Sequence, residues 1–138
     1  MIQIRKLIHA PRAKVFRMWT EPGEIKKWWL IEGCTTLIVE MNPVMGGKYR
    51  IGIRPEEGDL YYISGIFNEV CGMEKLVYTW TSESADDLIK DTRVSVEFHD
   101  RGDSTEIVLT HEFLHTPLQA GYREGWDKLI ERLILLCR

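Results

Sequence analysis

Residues 111–115 read HEFLH, the pattern H-E-x-x-H that on a helix sets two imidazoles on one face to hold zinc, with the glutamate as general base. The flanking sequence denies it that helix. The run TEIVLT leads into His111 with the alternation of a strand, and Thr116-Pro117-Leu118-Gln119 combines a capping-box spacing with proline at the first helical position. A helix therefore starts only after His115. In an extended segment the two imidazoles stand about 13 Å apart, too far to share a metal that binds nitrogen at about 2 Å. No metal site is expected.

Nucleophile chemistry has equally little support. Ser64 lies outside a G-x-S-x-G context, and Cys34, Cys71 and Cys137 have no neighbouring histidine in sequence. Arg50 and Glu69 belong on a solvated sheet face. No catalytic residue and no cofactor are expected. What remains is aromatic: Trp28, Tyr78, Trp80, Phe98, Tyr122 and Trp126, with Leu109 and His111 beside them, form a candidate lining for a small-molecule cavity. The parity of the runs aligns them. Leu76, Tyr78 and Trp80 share one sheet face, Val94, Val96 and Phe98 another row of it, and Ile107, Leu109 and His111 a third. A buried Trp or Tyr needs a partner for its polar atom, and His111 and Tyr122 can satisfy each other or a ligand's polar end.

The doublet Trp28-Trp29 bears on the same cavity. On a helix the two rings diverge by about 100°, and on a strand they face opposite ways, so one core cannot take both. Trp28 is expected as a lid over the cavity mouth and Trp29 or Trp19 as scaffold, an assignment that a one-residue shift of the helix end exchanges. Gly121 and Gly125 add a second signal, because each costs the last helix roughly 1 kcal/mol relative to alanine. Either the helix backbone approaches a bulky sheet residue such as Phe98 or Trp80, or the glycines leave room for a ligand beside Tyr122 and Trp126. On the first alternative, Gly125→Leu would overpack the helix and cost roughly 1–3 kcal/mol.

Elements must hold these residues in place. The chain has 138 residues, 44% hydrophobic and 28% charged, with net charge −3 and five tryptophans. That length suits one domain over residues 1–138, burying roughly 68% of the unfolded surface. Acidic and basic residues are interspersed, without the basic patch of a nucleic-acid binder. Three distant cysteines with no C-x-x-C pair fit a reducing compartment. The beginning lacks an apolar signal region, and LILLC near the end is far too short to cross a bilayer. A cytoplasmic location is expected.

Ile2, Ile4 and Ile8 suggest a first strand ending at Pro11, followed by one short helix through Val15, Phe16 and Trp19 and another capped by Thr20. The runs TLIVE, KYRIGIR, LYYISGIFNEV, KLVYTWT, TRVSVEFH and TEIVLT, separated by glycine turns, read as an antiparallel meander, with SESADD after Trp80 and Thr81 as its long loop. From Thr116 a helix of on the order of 30 Å carries a stripe of Leu118, Tyr122, Gly125, Leu129, Leu133 and Leu136, with Trp126 on its shoulder. A six- to seven-stranded sheet with one long helix to cover it must curve around that helix. The expected class is α+β.

The ordered set APRAKVFRMWTEPGEIKKWW, PVMGGKYRI, SGIFNEV, EKLVYTW, VSVEF, TEIVLTHEF and GWDKLIERL resembles, over essentially the whole chain, the activator-of-heat-shock-protein-90-ATPase (Aha-type) branch of the START-like, or SRPBCC, superfamily. The matching features are Trp19 and Trp28 or Trp29 near the ends of two early helices, Gly46-Gly47, Leu76 to Trp80, and Gly125-Trp126. The resemblance implies the helix-grip fold, an antiparallel sheet folded around the C-terminal helix, with a cavity that in many relatives holds an apolar small molecule. Val70-Cys71-Gly72-Met73 departs from the proline usual before the L-x-Y-T-W strand. The separate N-terminal domain of the eukaryotic cochaperones has no room in 138 residues. Three functions follow as expectations: binding of a small apolar or amphipathic ligand; a cochaperone-like module that docks a chaperone or other protein; and a polyketide-cyclase-like enzyme. A closed apolar cavity, a flat exposed apolar patch and converging titratable groups would respectively distinguish them.

Overall fold

The computed structural model describes residues 1–84 and 87–137, with the backbone alone at Asp87. Strand β1 (Ile2–Ile8) precedes helices α1 (Arg12–Thr20) and α2 (Pro22–Trp28). Then come β2 (Cys34–Met41), β3 (Lys48–Pro55), β4 (Tyr61–Cys71), β5 (Lys75–Ser84), β6 (Asp87–Asp100), β7 (Thr105–Glu112) and helix α3 (Thr116–Leu136). The strands form one antiparallel seven-stranded sheet in the order β1-β7-β6-β5-β4-β3-β2. It is a meander from β2 to β7, with β1 added beyond β7. The α+β helix-grip layout expected from the sequence is therefore present: an open curved sheet, two short helices after the first strand and a long C-terminal helix.

Period-two alternation decides which side chains enter the concave face. Leu76, Tyr78 and Trp80 of β5, Val94, Val96 and Phe98 of β6, and Ile107, Leu109 and His111 of β7 are all buried, as are Ile2, Ile4 and Ile8 of β1. The opposite face carries solvated ion pairs such as Arg50–Glu40 and Arg93–Glu112, both at 3.0 Å. Arg50 lies there with its guanidinium over the Tyr62 ring. Curvature is helped by register shifts in β2, between β4 and β5, and between β5 and β6. At the last of these Asp91 has φ 53° and its N–H donates to the Thr81 hydroxyl. Gly65 answers a close approach in mid-strand. A Cβ there would strike the Thr79 carbonyl oxygen and come within 2.7 Å of the Tyr49 ring, whose hydroxyl donates to that same carbonyl at 2.6 Å.

Several local expectations need correction. SESADD is not a long loop: Ser82, Glu83 and Ser84 continue β5 and pair with Ile89, Leu88 and Asp87, while residues 85 and 86 lie outside the described residues. Thr20 does not cap α2; Glu21 is the cap residue, and the Thr20 hydroxyl donates back to the Phe16 carbonyl at 2.8 Å. His115, not Thr116, is the cap of α3, and the Gln119 amide donates to the Leu114 carbonyl. The buried stripe of α3 is Trp126, Leu129, Ile130 and Leu133. Trp126 is thus central, while Gly125 and Leu136 are exposed. The wheel read from sequence was rotated because a glycine leaves no hydrophobic mark of its own.

Candidate functional site

A cleft of about 500 Å³ opens beside α3 from Pro117 to Arg132. Its helix wall is Leu118, Tyr122, Trp126 and Leu129, with Gly121 and Gly125 between them; its sheet wall is Tyr61 and Ile63 of β4 and Trp80, Ser82 and Ser84 of β5. The segment after α2, from Trp29 to Glu32, closes a third side, and Glu32, Glu124, Lys128 and Arg132 stand at its rim. The aromatic rings meet one another: Trp80 lies 5.9 Å from Trp29, 5.2 Å from Trp126 and 6.1 Å from Tyr122, centroid to centroid. A Cβ at Gly121 or at Gly125 would meet no atom within 4 Å. The close approach to Phe98 or Trp80 expected at these glycines does not occur, and the space beside them belongs to the cleft.

One core does take both rings of the tryptophan doublet, Trp28 at 0% and Trp29 at 4% exposure, but of the two only Trp29 also borders the cleft. Helix α2 ends at Trp28, and its cap residue Trp29 leaves the helix at φ −82°, ψ 71°. Trp28 turns into the core, fully buried, with its indole N–H donating to the Met18 carbonyl at 2.7 Å and its ring 4.8 Å from Trp19. Trp29 turns to the cleft, and its carbonyl accepts from the Thr36 hydroxyl at 2.8 Å. Of the two it is Trp29, not the expected Trp28, that borders the cleft.

Behind the cleft wall His111 is sealed in a network whose donors and acceptors fix its state. The Trp126 indole N–H donates to His111 Nδ1 at 3.0 Å. An indole nitrogen can only donate, so Nδ1 is the acceptor and the ring proton sits on Nε2. It points to Thr92 Oγ1 at 2.9 Å, and the Thr92 hydroxyl in turn donates to the Trp80 carbonyl at 2.8 Å. Burial brings the imidazole down to about 4, and a second proton would set an N–H against the indole N–H. The histidine is neutral at pH 7, with both nitrogens engaged. Its strand neighbours confirm that HEFLH is not helical: His111 and Glu112 end β7, Phe113 has φ 70°, and His115 caps α3. No group of three His, Cys, Asp or Glu side chains among the described residues is placed to hold a metal ion.

The other expected lining residues divide between cleft and core. Trp80, Tyr122 and Trp126 line the cleft. Tyr78 does not: its hydroxyl accepts from the Trp19 indole at 3.3 Å, and burial drives its phenol far above the ordinary range. With Trp28 it borders only a residual void of about 20 Å³ in the core. Phe98 packs edge-on against Phe16 and Trp19 at 5.4 and 5.8 Å, remote from the cleft. Leu109 is fully buried core and also stands off the cleft.

Residues 9–136 match the family model described as activator of Hsp90 ATPase homolog 1-like protein. The chain belongs to this family. Solved structures of similar fold include a Chromobacterium violaceum protein at 20% identity and TM-score 0.83, covering 99% of this chain and 96% of its own. A Nitrosomonas europaea protein stands at 22% and 0.81, covering 98% and 92%. A Silicibacter pomeroyi protein that carries this family's name stands at 18% and 0.80, covering 97% and 96%. At these identities the likeness is one of fold. No curated protein matches the chain at a significant level.

In this activator-of-Hsp90-ATPase-like chain the cleft is lined chiefly by aromatic and aliphatic side chains. Its walls are carbon-rich, and the indole N–H groups of Trp80 and Trp126 are already spent on Tyr122 and His111. Sequence reasoning left Trp29 as scaffold unless the helix end shifted, gave Leu118 to the buried stripe of α3, and missed Tyr61 and the charged rim. Tyr122 and the two unexplained glycines of α3 signalled that side of the helix. No helix among the described residues is long and apolar enough to cross a membrane.

Proposed function

We propose that this protein binds a small apolar or amphipathic molecule in the cleft between α3, β4, β5 and the segment after α2. The observation that carries the reading is the open space at Gly121 and Gly125. Two glycines weaken the helix where no packing contact requires them, and they face a cleft walled by Trp29, Trp80, Tyr122 and Trp126. A volume of about 500 Å³ falls within the range of roughly 300–1,000 Å³ usual for small-molecule sites. Its partner is thus a small ligand, with no nucleic acid involved. The three free cysteines support a reducing, cytoplasmic setting, and the chain acts as one domain. Enzymatic turnover has less support, since the buried imidazole behind the cleft has both nitrogens occupied.

The experiment is a panel of fatty acids, sterols and aromatic compounds, followed by thermal melting and by tryptophan emission. A ligand that binds only the folded state stabilises by about 2.7 kcal/mol at a hundredfold excess over its dissociation constant. Because Trp29, Trp80 and Trp126 line the cleft, emission should change over the same concentration range. If no compound moves either signal, the binding reading fails and a cochaperone-like docking module takes its place.

A further inference from the structure

The rim of the cleft distinguishes among amphipathic ligands. Glu124, Lys128 and Arg132 follow one another at four-residue intervals along α3, and Glu32 reaches the same edge from the segment after α2. The Lys128 ammonium contacts Glu32 at 2.7 Å and Glu124 at 3.3 Å. Both rim carboxylates therefore contact one cation, and Glu32 is held below its ordinary range by that hydrogen bond, by the Lys128 charge and, more weakly, by the charge of Arg132. Arg132 borders the cleft one turn further on, and among the described residues no carboxylate lies within ion-pair distance of it. The four rim charges sum to zero, and among the described residues Arg132 alone of the four takes no part in an ion pair.

The walls send a ligand's polar end to that rim. Trp80 and Trp126 present carbon to the cleft, their indole N–H groups being engaged elsewhere. A charged group buried among them would lose its hydration without a partner. A guanidinium offers a planar fork suited to carboxylate or sulfonate oxygens. Exposed ion pairs are weak, so the Glu32–Lys128 pair, whose glutamate side chain is 74% exposed, yields readily to an incoming anion. A cationic head, by contrast, would meet two carboxylates already shared with the Lys128 ammonium and would have the Arg132 charge against it.

We propose that the ligand is an amphipathic monoanion, its apolar body in the cleft and its anionic head on Arg132, with Lys128 joining when Glu32 is displaced. The proposal rests on the cleft being the binding site. The test uses two fluorescent probes with the same aromatic body, 1-anilinonaphthalene-8-sulfonate and neutral N-phenyl-1-naphthylamine, titrated into the wild type, Arg132→Gln and Gly121→Leu/Gly125→Leu. The wild type should bind the sulfonate roughly three- to fivefold more tightly, the factor of one partly screened charge pair, and added salt should shrink the preference. Arg132→Gln should abolish the preference and leave the neutral probe's affinity as it was. The double leucine variant should weaken both probes at least about tenfold. Equal binding of the two probes by the wild type, a preference that survives Arg132→Gln, or an equal loss of both probes in that variant overturns the anion proposal while the cleft reading stands. If the wild type binds neither probe, or if the double leucine variant binds both normally, the cleft reading itself falls and the anion proposal with it.

Discussion

Gly125→Leu distinguishes a packed helix from a helix that borders a cleft, because the two arrangements give opposite signs. A new Cβ at Gly125 meets no atom within 4 Å, so no neighbour has to move. Replacing glycine inside a helix recovers on the order of 0.5–1 kcal/mol of propensity. The leucine side chain can then lie against Tyr122 and Leu129, three residues before and four after it on the same helix face, and partial burial contributes up to about another 1 kcal/mol. The net expectation is a stabilisation of about 1 kcal/mol or more, read as a rise of roughly 3–8 °C in melting temperature. At the same time the side chain occupies cleft space, so any ligand found in the screen should bind more weakly. Thermal and chemical denaturation of wild type and variant, paired with a ligand titration, provide both readings. A fall in stability of roughly 1–3 kcal/mol, as overpacking would produce, would refute the reasoning and return the helix to close contact with the sheet.

The other expectations concern the buried network and the tryptophan pair. His111 is lowered from 6.5 to about 4 in the fold; a depressed basic group contributes stability that is fully present above its unfolded value near 6.5 and is lost as pH falls toward 4, worth about 3 kcal/mol in all. Its imidazole NMR titration should have a midpoint near 4, and a midpoint near 6.5 would show that the network is open to water. Trp28→Ala should cost roughly 3–5 kcal/mol through loss of the Trp19 and Met18 contacts. Trp29→Ala should weaken ligand response more than stability, and the reverse ranking would restore Trp28 to the cleft. Gly65→Ala, which drives a methyl group into the Thr79 carbonyl, should destabilise strongly, and an unchanged melting point would mean that β4 can shift away from β5.

The sheet was legible because alternation survives over whole strands. Tyr78 and Trp80, or Leu109 and His111, differ by two positions and so share a face wherever the strand begins. The helix was legible in extent but not in phase, since Gly125 and Trp126 sit next to each other and hydropathy cannot say which is central. Trp28 and Trp29 depended on a helix end, where one residue of error exchanges core for cleft. Ser82 to Ser84 read as loop because a run of polar residues looks like a turn, although Ser82 is buried in the fold. The Lys128–Glu32 contact joins positions 96 apart, and no local pattern in either segment announces the other.

The same network that hides His111 also shapes what the cleft can recognise. Had the Trp126 indole N–H been free, the helix wall would present a donor in the middle of an apolar surface, and a ligand would need a matching acceptor deep inside. His111 Nδ1 removes that donor at 3.0 Å, and the Tyr122 hydroxyl takes the Trp80 N–H at 3.3 Å. An engaged donor imposes no directional demand on a ligand body, so these two indoles select by shape and apolar area. Charge is then left to the edge, where Lys128 and Arg132 stand, since the hydroxyl side chains of the wall, Tyr61, Ser82, Ser84 and Tyr122, are neutral. A cleft built this way tolerates variation in the ligand's body and discriminates at its head. Substitutions at Arg132 should therefore change which ligands bind, whereas substitutions at His111 should first change whether the wall stays folded.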